Sequence, residues 1–160
     1  MPGPLDQESV IRVRETLARL GATGEIRHLD ESARTAKEAA DALGIEVGQI
    51  ASSLIFLANS RPVLVIASGA HRVDTERLSR VLSGAIIDKA NATGVRIATG
   101  FAIGGVAPVG HPEPLRTVVD TALSQFETVW AAAGHPHCVF PTTYDELLRI
   151  TGGDAAEVGE

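Results

Sequence analysis

The stretch SLIFLANSRPVLVIAS, residues 53–68, decides the fold class. Two apolar runs, SLIFLA and PVLVIAS, flank NSRP, a group with hairpin-turn chemistry. Both runs are near-continuous in apolar character, the pattern of strands in a sheet covered on both faces. Upstream, Ser9 can cap a helix with apolar positions Val10, Val13, Leu17 and Leu20, stopped by Gly21. EIRHL alternates and predicts a short strand, Glu25 to Leu29. Ala33 to Leu43 is alanine-rich and predicts a helix ended by Gly44, with a short helical turn around Val47 to Ile50.

Downstream, Asp74 is placed to cap a helix running to about Leu82. GAIIDKA predicts a weaker strand, and Asn91 to Arg96 a brief helix. RTVVD, TVWAAA and HCVF predict further strands, the last two joined at GHP. Thr142 or Thr143 caps a closing helix, YDELLRI, ended by Gly152 and Gly153. The tail DAAEVGE is polar and is expected to fray. Together these predict one α/β (α+β) domain over residues 1–153, with residues 154–160 as a polar C-terminal tail. Its short strands and hairpins favour a mixed, largely antiparallel curved sheet surrounded by helices over a doubly wound one.

The chain has 160 residues, 44% hydrophobic and 21% charged, which suits one soluble domain with a real core. No apolar run approaches twenty residues, and the N-terminus lacks a basic start and an apolar h-region. No membrane association is therefore expected. A lone cysteine, Cys138, allows no intramolecular disulfide, so a cytoplasmic location is the simplest expectation. The net charge of −6 argues against a general nucleic-acid binder, DNA included. Arg61, Arg72, Arg77 and Arg80, with His71 among them, are a solvated helix face plus a turn, or a phosphate-contacting surface.

The most unusual segment is TGFAIGGVAPVGHP, Thr99 to Pro112. Its glycines, Gly100, Gly104, Gly105 and Gly110, do not make the G-x-G-x-x-G of a dinucleotide loop. Gly100 and Gly105 have P-loop spacing, but Val106 and Ala107 follow where Lys and Ser or Thr are needed. An irregular loop remains, either a tight structural turn or a wall of backbone amides able to bind a carboxylate, a carbonyl or a ribose. No cofactor is expected. His111, His135 and His137 are candidate bases. With Cys138 they could offer zinc four donors, but H-x-H-C is not a usual zinc spacing and no metal site is expected. Asp120 reads as a helix N-cap. Ser52 and Ser53 lie in no G-x-S-x-G elbow, which argues against a nucleophilic serine.

TGFAIGGVAPVGH closely resembles the Gly-Gly-Val-x-Pro-x-Gly segment of the YbaK/prolyl-tRNA-synthetase-associated editing domains. The resemblance runs from about Ser9 to Gly153 and includes QIASSLIF, VLVIASGAHRVD, VDTAL and VWAAAGHPHCVFPTTYDELLRITGG. It implies a YbaK-like fold and an enzyme, an aminoacyl-tRNA deacylase that hydrolyses the ester at the 3′ end of a mischarged tRNA. The implied partner is that tRNA, not DNA. It implies a site in which Gly104 and Gly105 act beside position 52, the substrate meeting Phe101, Ile103, Val106, Pro108, Gly110, His111, Gly134 and His137. Editing members commonly carry a lysine in the motif equivalent to IASSLIF, and that position is Ser52 here. The only lysines are Lys37 and Lys89, and Lys89 is the candidate to substitute spatially. The missing lysine keeps open a second reading, a non-catalytic module that binds an aminoacyl group, a tRNA end or a protein. The oligomeric state is not legible, and a homodimer is one assembly open to the chain.

Overall fold

A computed structural model describes residues 3–160. In chain order the chain forms α1 (Glu8–Arg19), β1 (Arg27–His28), α2 (Ala36–Leu43), β2 (Ile50–Ala58), β3 (Arg61–Ser68) and α3 (Thr75–Val81). There follow β4 (Ile87–Lys89), α4 (Ala92–Thr99), β5 (Arg116–Asp120), β6 (Val129–His135), β7 (Cys138–Thr142), α5 (Tyr144–Thr151) and β8 (Asp154–Ala156). The β2–β3 hairpin is the centre of the fold. It turns at Asn59 and Ser60, both in the left-handed region (φ 49° and 67°), which matches a two-residue turn to the twist of the strands.

The sheet runs β1-β7-β6-β2-β3-β5-β8, with β4 also on β2. It is mixed, as expected: four pairings are antiparallel and three, β2 with β6, β3 with β5 and β5 with β8, are parallel. One edge of β2 is shared by two strands. Ile50 and Ala51 pair with Trp130 and Ala131 of β6, whereas Phe56, Leu57 and Ala58 pair with Lys89, Asp88 and Ile87 of β4. Between them, the edge from Ser52 to Ile55 has no strand beside it among the described residues. The sheet is split there.

Both faces are covered, which explains the continuous apolar runs. On one face Ala51, Ile55, Leu64, Ile66 and Val119 pack with Val10, Val13 and Leu17 of α1, Leu147 of α5 and Phe101. On the other, Phe56, Val63, Val65, Ala67 and Val118 pack with Leu78 of α3 and Leu82. A smaller cluster joins Ala39 and Ala40 of α2 to Ile50, Leu29 and Val139. Leu64 is completely buried, so truncating it to alanine costs about 2–5 kcal/mol.

Several boundaries differ from the sequence expectation. The first strand is only Arg27–His28. The second helix starts at Ala36 because Thr35 caps it, sharing a capping box with Glu38. The helix after Asn91 runs on to Thr99 and ends on Gly100 in the left-handed conformation. Residues 154–160, expected to fray, instead supply edge strand β8 beside β5 and bury Val158 completely. The Asp74 N–H donates to the Val158 carbonyl at 2.7 Å, and the Glu160 N–H to the Arg72 carbonyl at 3.0 Å.

Candidate functional site

The split in the sheet opens a cavity of about 1080 Å³. Its floor is β2, from Ile50 to Phe56, with Ala67 of β3 and Trp130, Ala131 and Ala132 of β6. The start of α2, the turn into α3, Lys89 with Ala90, and the glycine segment at Ile103, Gly104 and Val106 form its walls. On the face of the sheet that carries Ala67, the small side chains Ser52, Ala67 and Ala132 stand among the larger Ile50, Leu54, Phe56 and Trp130. Leu54 is 39% exposed on that floor, an apolar surface for a ligand. The buried Ser53 Oγ has no hydrogen-bond partner among the described residues.

The glycine segment is mostly buried, and its backbone is held by distant residues. Gly105 packs tightly on β6: a Cβ there would lie 3.0 Å from the His135 backbone. Gly104 is left-handed (φ 91°) and lies against the Arg34 side chain. Behind the cavity, the Arg12 guanidinium of α1 donates from Nε to the Gly110 carbonyl at 3.0 Å and from Nη2 to the Gly100 carbonyl at 3.3 Å. Its Cζ stands 4.8 Å from the centre of the Phe101 ring. Ser9 Oγ donates to the Gly134 carbonyl at 2.8 Å. Helix α1 thus fastens both the glycine segment and the end of β6.

The expected site residues separate into three groups. Ser52, Ile103, Gly104 and Val106 line the cavity. Phe101, Gly105, Pro108, Gly110, His111 and Gly134 lie behind or beside its wall. Phe101 is buried in the core against the His111 ring edge, and His111 Nε2 donates to the Ala107 carbonyl at 2.8 Å. Burial, and secondarily the Arg12 charge, hold the His111 pKa below its ordinary value, partly offset by that hydrogen bond. His137 stands apart on the β6–β7 turn, where its Nδ1 donates to the Leu29 carbonyl at 2.9 Å. The rings of His28 and His135 lie 6.1 and 5.6 Å from that of His137. Burial first, then the charges of His137 and His28, lower the His135 pKa. Among the described residues no group of three or more His, Cys, Asp or Glu side chains could hold a metal ion. Burial pushes the Cys138 thiol up to about 11, so it carries no nucleophile at neutral pH.

Three cations on the cavity rim were not singled out as site residues from sequence: Arg34 ahead of α2, Arg72 ahead of α3, and Lys89 on β4. All three are exposed, and none makes an ion pair among the described residues. Arg72 belonged to a visible arginine cluster and Lys89 was a spatial candidate, whereas Arg34 carries no local signal. Lys89 pairs with Phe56, which shares a strand face with Leu54 and Ser52, so it stands at the far end of the same floor.

Comparison with known proteins gives consistent relatives. Residues 30–150 match the model of the aminoacyl-tRNA editing domain. A crystal structure provisionally described as a trans-editing enzyme for prolyl-tRNA synthetase superposes with a TM-score of 0.90 at 42% identity, covering 96% of this chain and 98% of that one. An Enterococcus faecalis protein, EbsC, provisionally named a Cys-tRNA(Pro)/Cys-tRNA(Cys) deacylase, is 24% identical over 125 residues, 78% of this chain and 76% of its own. The proline–tRNA ligase of Bacillus licheniformis is 34% identical over 126 residues, 76% of this chain but 21% of the ligase.

Proposed function

Because this chain belongs to the aminoacyl-tRNA editing domain family, we propose that it hydrolyses the ester joining a wrongly attached amino acid to a tRNA 3′ end. The observation that carries this reading is the cavity at the sheet split. It has a wall of glycine-segment backbone, a floor in which Ser52, Ala67 and Ala132 are small, and a rim of three unpaired cations. Ser52, Ala67 and Ala132 leave room on the floor for an aminoacyl group. The backbone N–H groups of Ile103, Gly104 and Val106 are suited to polarise an ester carbonyl, whereas that of Gly105 already donates to the Ala102 carbonyl at 3.0 Å. The rim cations suit the phosphates of the tRNA end. A water supplies the attack, so no metal or organic cofactor is required.

The names of the relatives support a role beside prolyl-tRNA synthetase, acting in trans on tRNA charged with an amino acid other than proline. Such work belongs where tRNA is charged, in the cytoplasm. No helix among the described residues is long and apolar enough to cross a membrane. Nothing in the relatives favours the non-catalytic module.

The test is deacylation of a panel of tRNAs, including tRNAPro carrying alanine or cysteine and correctly charged controls. Hydrolysis of at least one mischarged species, with controls spared, is expected. A protein that leaves every ester intact refutes the reading. Ser52→Lys adds a cation to the floor and is expected to raise the rate.

A further inference from the structure

A buried carboxylate and a histidine outside the expected site stand on the same row of the sheet as Ser52. Asp120, at the end of β5, is completely buried. Its Oδ1 accepts the Ala122 N–H at 3.0 Å, which caps the following turn of helix. Its Oδ2 accepts the Ser68 N–H at 3.0 Å and meets His71 Nε2 at 2.5 Å. Capping explains Oδ1 alone. The Oδ2 contact reaches across to the turn after β3, and through it to the cavity, which His71 lines.

The register fixes the relation to the floor. Ser52 pairs with Ala67. Val65 and Ile66 pair with Val118 and Val119, and one more step sets Asp120 beside Ala67. Ser52, Ala67 and Asp120 therefore form one row across three strands, with side chains on one face. The row spans about 10 Å, two strand spacings. The residue between carries only a methyl group, and His71 and Ser52 both line the cavity. The ring is held from behind: a Cβ at Gly159 would overlap it, so the chain there lies directly against the imidazole.

The proton positions follow. A carboxylate accepting two amide N–H groups is an acceptor, so His71 Nε2 carries the hydrogen and donates it. Nδ1 then holds a lone pair, and it has no partner among the described residues. We propose that His71, oriented by Asp120, is the general base of ester hydrolysis in this cavity, a proposal that rests on the deacylase reading. A water oxygen attacks the ester carbonyl carbon and passes one proton to His71 Nδ1, while the carbonyl π pair moves onto its oxygen. When that pair returns, the bond to the ribose oxygen breaks, and the ribose oxygen takes the proton from the imidazolium. One ester and one water give one amino acid and one free tRNA hydroxyl.

The test is single-turnover hydrolysis of an aminoacyl-tRNA that the native protein cleaves. His71→Ala and His71→Gln are compared with the native protein, and thermal melting checks the fold. Loss of about 10²- to 10⁴-fold in rate is expected, the usual contribution of a positioned base. Added imidazole restores part of the His71→Ala rate. The acidic limb of the pH–rate profile disappears in both variants. The other groups facing this end of the cavity are Asp120 beneath the ring, Arg72, Asp74 and Glu76 at the α3 end, and Glu160 of the tail. None of them is altered by these substitutions. Rates within threefold of native overturn the proposal. So does a loss that imidazole cannot rescue and that leaves the acidic limb in place, which would mark a structural role. A native protein that cleaves no aminoacyl ester overturns the deacylase reading and this inference with it, whereas an active protein indifferent to His71 overturns this inference alone.

Discussion

Arg12→Ala tests whether the glycine segment is held in place from outside the cavity. The side chain is half-buried and joins three features: the carbonyls of Gly110 and Gly100 and the face of Phe101. Hydrogen bonds to a charged group contribute about 1.5–3 kcal/mol each, and partial exposure puts these two near the lower figure. The guanidinium over the ring adds about 0.5–1 kcal/mol. Water can satisfy part of the released carbonyls, so the expected net loss is about 3 kcal/mol. For a domain of this size that lowers the melting temperature by roughly 6–12 °C. Urea unfolding of native protein and variant measures it directly. The neighbouring Arg14→Ala is the control: Arg14 is exposed, bonds one nearby carbonyl, and its loss should stay within about 0.5 kcal/mol. Arg12→Lys should recover only part of the loss, because an ammonium cannot reproduce the planar fork. Deacylation by Arg12→Ala should weaken more than its stability, since Gly104 and Val106 lie on the segment that is released. A stability change below about 0.5 kcal/mol for Arg12→Ala would refute the idea that α1 anchors this wall.

Gly104→Ala places a Cβ at φ 91° and against Arg34, which should cost about 1–2 kcal/mol of stability and a larger share of activity; urea melts and tRNA hydrolysis check the two. The lowered His111 pKa makes a linkage prediction. As pH falls through the ordinary histidine range the unfolded chain takes up a proton that the folded chain refuses. Stability should therefore drop from about pH 7 toward pH 5, and His111→Gln should flatten part of that slope in unfolding curves. If the rim cations meet three phosphates, the slope of log affinity against log salt for a single-stranded tRNA end is about −2, and Arg34→Ala, Arg72→Ala or Lys89→Ala should each reduce it. A slope near zero in a titration would remove the cations from the interface.

Those elements whose causes are local were legible in the sequence. The hairpin announced itself because its turn residues and its two apolar runs are adjacent in the chain. Asp74 and Asp120 were visible as caps because a cap acts within three residues of itself. The edge strand β8 was not, because two of its three side chains are exposed and its support comes from β5 and from the single buried Val158. The glycine segment was legible as an irregular loop, but its fastening by Arg12 acts across 98 and 88 positions of sequence and leaves no local trace. His71 was visible only as one more basic residue in an arginine-rich run. Its orientation by a carboxylate 49 positions away exists only after folding.

The cavity itself follows from how β2 is shared. A strand flanked along its whole length would present a closed floor, with every backbone group in a ladder. Here β6 leaves β2 after Ala51, and β4 joins it only at Phe56. On this edge, opposite β3, the interval leaves backbone groups of Ser52 to Ile55 without a strand partner among the described residues, near the buried Ser53 hydroxyl, which also has none. A folded chain seldom leaves such groups unsatisfied, so the interval is suited to a polar ligand that completes the ladder. That ties together features that are separate in sequence. The glycine segment closes the gap beside β6, Lys89 closes it beside β4, and the His71–Asp120 pair faces it across Ala67. An acidic chain can serve an anionic substrate on these terms. Arg34, Arg72 and Lys89, none of them in an ion pair among the described residues, bring positive charge to the opening in the sheet.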